Sequence, residues 1–172
     1  MSTPVAVTTE MIKALRGETG AGVMDAKRAL DSADGDMAKA KAILREQGMA
    51  AAAKRAERET SNGVVEAYIH AGGRIGVLVE VNCETDFVAN TEDFRGLARN
   101  IAMQIAAMNP MLVSRDDPER EKHEGSDEEV CLLSQPFIRD SSRTIEGLVQ
   151  DAVAKTGENI RIRRFTRFEL GR

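Results

Sequence analysis

Apolar residues recur every three or four positions through the first fifty residues of the chain, and from residue 64 they alternate with polar ones. Ile12 and Leu15 share one face of a helix that Thr8 or Thr9 can cap, and the glycine-rich segment GETGAG (17–22) is expected to break it. Val23, Ala26, Ala29 and Leu30 form the stripe of a second helix, stopped at Asp34-Gly35, where glycine tolerates the left-handed conformation. Asp36 caps a third helix carrying Met37, Ala40, Ile43 and Leu44, which is expected to end at Gly48. The alanine-rich, charged stretch 50–59 has little to bury and predicts an exposed connecting helix, and Ser61-Asn62-Gly63 is a turn signal.

The period then becomes two. Val65, Ala67 and Ile69 alternate with Glu66 and Tyr68, Ala71-Gly72-Gly73 turns the chain, and Ile75, Val77, Val79 and Val81 alternate with Gly76, Leu78, Glu80 and Asn82. This predicts a β-hairpin whose second face, at Leu78, is partly covered. Phe94, Leu97, Ala98, Ile101, Ile105 and Met108 mark an amphipathic helix ending at Asn109-Pro110, and Met111-Leu112-Val113 is a short strand candidate. A further helix carries Ile145, Leu148, Val149, Ala152 and Val153 up to Gly157. The last strand holds Ile160 and Ile162, then Phe165, Phe168 and Leu170, and its change of phase predicts a bulge near Arg164.

The expected fold is therefore α+β: an N-terminal three-helix bundle (1–49), an exposed linker helix (50–60), and an antiparallel sheet packed with helices (61–172), with a short charged segment around 115–130. Net charge is −4 over 172 residues, so no global pull toward nucleic acid or membrane is expected. Arg161, Arg163, Arg164 and Arg167 nonetheless gather on the last strand, which keeps open a ribosome- or RNA-associated binding module as an alternative function. Only two cysteines occur, Cys83 and Cys131, which excludes a disulfide framework and a cysteine-rich zinc site. The first ten residues carry neither a basic flank nor a long apolar run, so a cytoplasmic address is expected.

Aromatic residues are 3% of the chain: no Trp, one Tyr, five Phe. This argues against an aromatic-lined sugar cleft or a base-stacking platform, and it draws attention to each aromatic. Four of them fit core positions in the helices and final strands. Phe87 stands apart, following Asp86 in Thr85-Asp86-Phe87-Val88 at a strand-to-helix junction. Two readings stay open: Asp86 caps a helix and Phe87 plugs the core, or Phe87 is a protruding anchor for a partner's pocket with a carboxylate beside it. Other chemistry is thin. His70 and Cys83 could meet as a nucleophile pair across antiparallel strands, but no third group orients them. Gly17, Gly20 and Gly22 precede a helix without the strand or the Gly-Lys-Ser/Thr that a phosphate loop needs. Glu80, Glu84 and Asp86 could gather around a hard cation or form a solvated cluster.

The segments LRGETGAGVMDAKRAL (15–30) and GVLVEVNCETDFVAN (76–90), with LLSQPF (132–137), GENIRIRRF (157–165) and ELG (169–171), resemble the elongation factor Ts family in order along nearly the whole chain. The resemblance is to its short form, with one core module. It implies a guanine-nucleotide exchange factor for elongation factor Tu that makes and breaks no bond and needs no cofactor. By match, Leu15, Arg16, Thr19, Gly20, Ala21, Gly22 and Met24 of a ubiquitin-associated-like bundle would contact the GTPase domain. Thr85, Asp86, Phe87 and Val88 would intrude beside the nucleotide and dislodge Mg²⁺, with Phe87 as wedge and Asp86 as charged element. The family's short forms are also expected to pair as homodimers. Between Pro110 and Leu132 this chain is shorter than the family's usual helical insertion.

Overall fold

The computed structural model describes residues 6–171; residues 1–5, part of the segment read above for targeting signals, and Arg172 lie outside the described residues. Three helices open the chain: α1 (Thr9–Thr19), α2 (Val23–Ser32) and α3 (Met37–Arg55). Thr8 caps α1 by accepting the Met11 N–H, and Asp36 caps α3 by accepting the N–H groups of Ala38 and Lys39. Leu15, Ala26, Ala29, Leu30, Ala33 and Ala40 are the buried center of this bundle. Its small residues let the helices approach closely without any aromatic side chain.

The glycine-rich segment 17–22 breaks α1 as expected: the helix runs to Thr19 and stops at Gly20 (φ +70°). One expected helix end moves: Gly48 does not end α3. It lies where α3 passes α7 (Ile145–Thr156), and a Cβ there would stand 3.1 Å from the Ala154 Cβ. This glycine serves close helix packing rather than chain reversal. The expected linker helix is consequently the C-terminal half of α3, and it is not uniformly exposed: Ala51, Ala52 and Arg55 are half-buried, with Ala52 against the main core.

The hairpin forms as β1 (Asn62–Ile69) and β2 (Ile75–Cys83), and β5 (Arg161–Glu169) joins the far side of β2 to give the antiparallel order β1-β2-β5. Gly63 (φ +148°) is indispensable at its start, since a Cβ would lie 2.2 Å from the Val81 carbonyl oxygen. Register slips between Glu80 and Val81, which face Arg164 and Ile162, so Arg163 is the extra residue of the bulge expected near Arg164. Val77, Val79, Val81 and Cys83 point inward onto α5 (Glu92–Met108), whose Phe94, Leu97, Ala98, Ile101 and Ile105 complete the core.

The opposite sheet face carries a correction. The apolar stripe Val65, Ala67, Ile69 of β1 points to solvent, while Val64, Glu66 and Tyr68 face the core side. Leu78 is not covered, and Phe168, expected in the core, is 68% exposed beside Leu170. The other three aromatics placed in the core are inside: Phe94 and Phe137 are buried and Phe165 is partly so.

After α5, the Met111-Leu112-Val113 strand candidate reduces to a single bridge from Leu112 to Cys131. The charged segment forms a 3-10 turn (Arg120–Lys122) and the short α6 (Asp127–Val130), closed by a Ser126/Glu129 capping box. A small hairpin that the sequence did not announce, β3 (Pro136–Phe137) with β4 (Asp140–Thr144), leads into α7. Buried Gln104 anchors it, donating to Gln135 Oε1 and the Pro136 carbonyl at 3.1 Å each and accepting the Ile138 N–H. α7 ends at Gly157 in the left-handed region, as its position implied.

Candidate functional site: an exposed aromatic on a one-turn helix

β2 leaves the core at Cys83, and two residues later the chain turns into α4 (Asp86–Ala89), a single helical turn. The cap is Thr85 rather than Asp86: the Thr85 hydroxyl accepts the Val88 N–H at 3.4 Å, and Asp86 occupies the first helical position with its side chain in solvent. Val88 and Ala89 face inward at 5% exposure each, whereas Phe87 is 79% exposed. Phe87 therefore plugs nothing. A large apolar ring in water, on an element whose other apolar side chains are buried, has the form of an anchor for a partner surface.

The second candidate region is the α1–α2 turn. Leu15 is fully buried in the bundle and offers no surface of its own. Arg16 is exposed, and its Nε donates to the Ala21 carbonyl at 3.1 Å, while the Thr19 hydroxyl donates to the Leu15 carbonyl and accepts the Ala21 N–H. Gly22 caps α2, and beyond it Met24 is 62% and Val23 50% exposed. Val23, which the sequence reading left in the helix stripe, thus joins Met24 in an apolar patch. Asp25 leans over Gly22, so the start of α2 carries negative charge and is poorly suited to a phosphate.

The turn and the one-turn helix are linked across the surface by an ion pair. Gly20 packs on the Lys155 side chain, Lys155 pairs with Asp93 at 2.7 Å, and Asp93 lies in the first turn of α5, directly after α4. A groove of about 1090 Å³ runs between bundle and core along this line, with Arg45, Asp93, Arg143, Asp151 and Lys155 among its walls.

The other sequence candidates do not converge. His70 lies at the turn end of the hairpin, bonded to the Tyr68 hydroxyl, and Cys83 at the opposite end, about 26 Å away at the rise of a strand. Burial, then the neighboring Glu158 charge, push the Cys83 thiol up from its ordinary value, away from a reactive thiolate. Glu80 pairs with Arg164 at 2.8 Å and Arg163 at 3.1 Å, Glu84 binds Arg58 and the Asn159 N–H, and Asp86 is exposed, so the three acids do not gather. Among the described residues no group of three or more His, Cys, Asp or Glu side chains gathers around one point. The arginines of β5 are likewise engaged: Arg161 with the Ala56 carbonyl, Arg163 and Arg164 with Glu80, Arg167 with Glu169 and the Ala106 carbonyl.

Sequence reasoning missed Glu158 and Asn159. They follow the end of α7, outside any periodic pattern, and only the folded chain brings them beneath α4.

The family model of elongation factor Ts matches residues 24–128, a span that contains α4 and most of the sheet. The chain belongs to the elongation factor Ts family. It is 52% identical over 194 aligned positions to the elongation factor Ts of Carboxydothermus hydrogenoformans, covering 96% of this chain and 89% of that protein. Its similarity to the protein of the same name from Heliobacterium modesticaldum is equal in identity, over 96% and 90% of the two chains. With that of Moorella thermoacetica it shares 52% over 93% of each. The first two alignments are longer than the 172-residue chain, so those relatives carry residues that this member of the family lacks. Among the described residues no helix is long and apolar enough to cross a membrane.

Proposed function

We propose that this chain is a cytoplasmic guanine-nucleotide exchange factor: it binds elongation factor Tu carrying GDP and promotes GDP release by disturbing the Mg²⁺ and phosphate site. The observation that carries this reading is Phe87, exposed on a one-turn helix with Asp86 beside it, in a chain with only six aromatic residues. Phe87 enters the GTPase beside the nucleotide, and Asp86 opposes the charge pattern that holds Mg²⁺. Arg16, Thr19, Gly20, Ala21, Gly22 and Met24 provide a second contact on the GTPase domain, with Leu15 supporting their turn from within the bundle.

The energetics are those of linkage. A partner that binds better when nucleotide contacts are broken lowers nucleotide affinity by the same factor by which nucleotide lowers its own. No bond is made or cut, so the chain needs neither nucleophile nor cofactor. Release of labeled GDP from elongation factor Tu, followed with and without this protein, tests the reading: acceleration supports it, and an unchanged rate at saturating concentration overturns it.

A second copy is the natural cover for the open sheet face. Val65, Ile69, Leu78, Phe168 and Leu170 lie between 46% and 68% exposed on one side of β1-β2-β5, and a sheet with one buried face ordinarily packs its other apolar surface on a second layer. An isologous pair of such faces would satisfy both protomers. Sedimentation equilibrium is expected to give a dimer that Phe168→Asp converts to a folded monomer; a native monomer at every concentration would remove this assembly. The RNA-binding alternative is weakened by the engagement of the β5 arginines with groups of the same chain.

A further inference from the structure

Val88 and Ala89 pack α4 onto the core, but its own hydrogen bonds do not hold the chain that enters it. One helical turn fixes several backbone dihedrals for very few hydrogen bonds, so an isolated turn of this length does not persist in water. The entry to α4 is held from the far end of the sequence. Glu158 Oε2 accepts the backbone N–H groups of Glu84 at 3.1 Å and Thr85 at 3.0 Å, and its Oε1 accepts the Thr85 hydroxyl at 2.6 Å. Three donors thus converge on one half-buried carboxylate from a residue 73 positions away. Because the Thr85 hydroxyl donates to Glu158, its lone pairs remain for the Val88 N–H, which is the cap bond of α4.

The attachment is reciprocal. Glu84 Oε1 accepts the Asn159 N–H at 2.6 Å, and the Glu84 carbonyl accepts the Asn62 amide at 2.8 Å. Buried Asn159 in turn donates to the carbonyls of Ala56 at 3.2 Å and Arg58 at 2.8 Å, tying the end of α3 to the same point. The chain entering α4 is therefore clasped on both sides, next to the most exposed large apolar side chain among the described residues.

We propose that Glu158 is a positioning residue for Phe87: its carboxylate holds the entry to α4 rigid, so that the aromatic ring meets the partner already oriented. This rests on the exchange-factor reading above. An anchor ordered in advance loses less conformational freedom on binding, and in an exchange factor that saving appears where the wedge engages, in the maximal rate of GDP release rather than in docking of the remaining surface.

The test uses the full chain with three substitutions that separate reach from charge. Glu158→Gln keeps the length, and its amide oxygen can accept the two backbone donors while its NH₂ faces the Thr85 hydroxyl. Glu158→Asp keeps the charge but falls one methylene short, and Glu158→Ala loses both. In the free protein, hydrogen exchange of the Glu84 and Thr85 amides is expected to accelerate about 100-fold in the Ala and Asp variants and only slightly in Gln. With elongation factor Tu, the maximal rate of GDP release is expected to fall about tenfold in Ala and Asp, with the half-saturating concentration within about threefold of native, and to be largely restored in Gln. Unchanged amide exchange in Glu158→Ala overturns the clasp. A half-saturating concentration that rises with the maximal rate unchanged overturns the positioning role, as does the order Asp above Gln, which would assign the effect to charge. Should Glu158→Ala fail to fold by circular dichroism, the comparison of Gln with Asp decides the same question. If the native protein does not accelerate GDP release, the exchange-factor reading fails by itself, and amide exchange still decides the clasp.

Discussion

Two helix starts, six residues apart, are built alike and used in opposite ways. α4 follows Thr85 and α5 follows Thr91; each threonine hydroxyl accepts the N–H three residues on, at 3.4 Å from Val88 and 3.3 Å from Phe94. In both, the third helical residue is buried, Val88 at 5% and Phe94 at 2%, and the second is exposed, Phe87 and Asp93. The difference that matters is where phenylalanine stands. At the third position it fills the core, and at the second it projects into water. The hydroxyls also differ in what they donate to: Thr91 bonds locally to the Val88 carbonyl at 2.8 Å, and Thr85 bonds to Glu158. A seventeen-residue helix packed on a sheet needs no distant support, whereas a four-residue turn does.

The contrast can be broken most severely at Phe94. Phe94→Ala is expected to cost about 3–5 kcal/mol of stability, read by denaturant unfolding, because it removes the largest fully buried side chain of the core. Phe87→Ala should leave unfolding within about 0.5 kcal/mol. It should lower stimulated GDP release roughly 30-fold, as truncation of an interface anchor does. A Phe87→Ala protein that unfolds would erase the distinction between the two positions. Val88→Ala, at the buried position of α4, is expected to cost about 1.5 kcal/mol. Thr91→Ala should cost about 1 kcal/mol by removing a cap, with no change in the maximal rate of GDP release.

The smallest effect concerns pH. Threonine caps do not titrate, but the carboxylates at other helix starts and turns do. Backbone N–H groups hold Asp36 and Glu129 below their ordinary values of 3.8 and 4.5, the Ser142 hydroxyl does the same for Asp140, and the Arg164 guanidinium for Glu80. A native pKa below the unfolded one means that the unfolded chain takes up protons first as pH falls. The stabilization is therefore complete above the ordinary carboxylate range and is lost as pH drops through it toward the native values. Thermal unfolding between pH 7 and pH 3 should show a midpoint that is flat and then falls.

Much of this molecule was readable in one dimension. Thr8 and Asp36 were identifiable as caps and Gly157 as a stop because local hydrogen-bonding geometry decides them. The bulge in β5 was visible as a change of phase, and Phe87 was noticeable because so few aromatics compete with it. Gly48 was misread for an equally physical reason. A glycine that ends a helix and one that admits a neighboring helix look the same until the neighbor, Ala154, is in place.

Strand alternation likewise told that β1 has two faces, Val65-Ala67-Ile69 and Val64-Glu66-Tyr68, but not which of them meets α5. The more apolar face is the one left open, since pairing with β2 lets only one orientation share the Val77-Val79-Val81 side of the sheet. Local patterns thus settled the kind, order and caps of the elements, because those depend on atoms a few residues apart. Which face turned inward, which glycine was a contact, and how Glu158 came to hold the base of Phe87 were settled only by folding, because each depends on a partner distant along the chain.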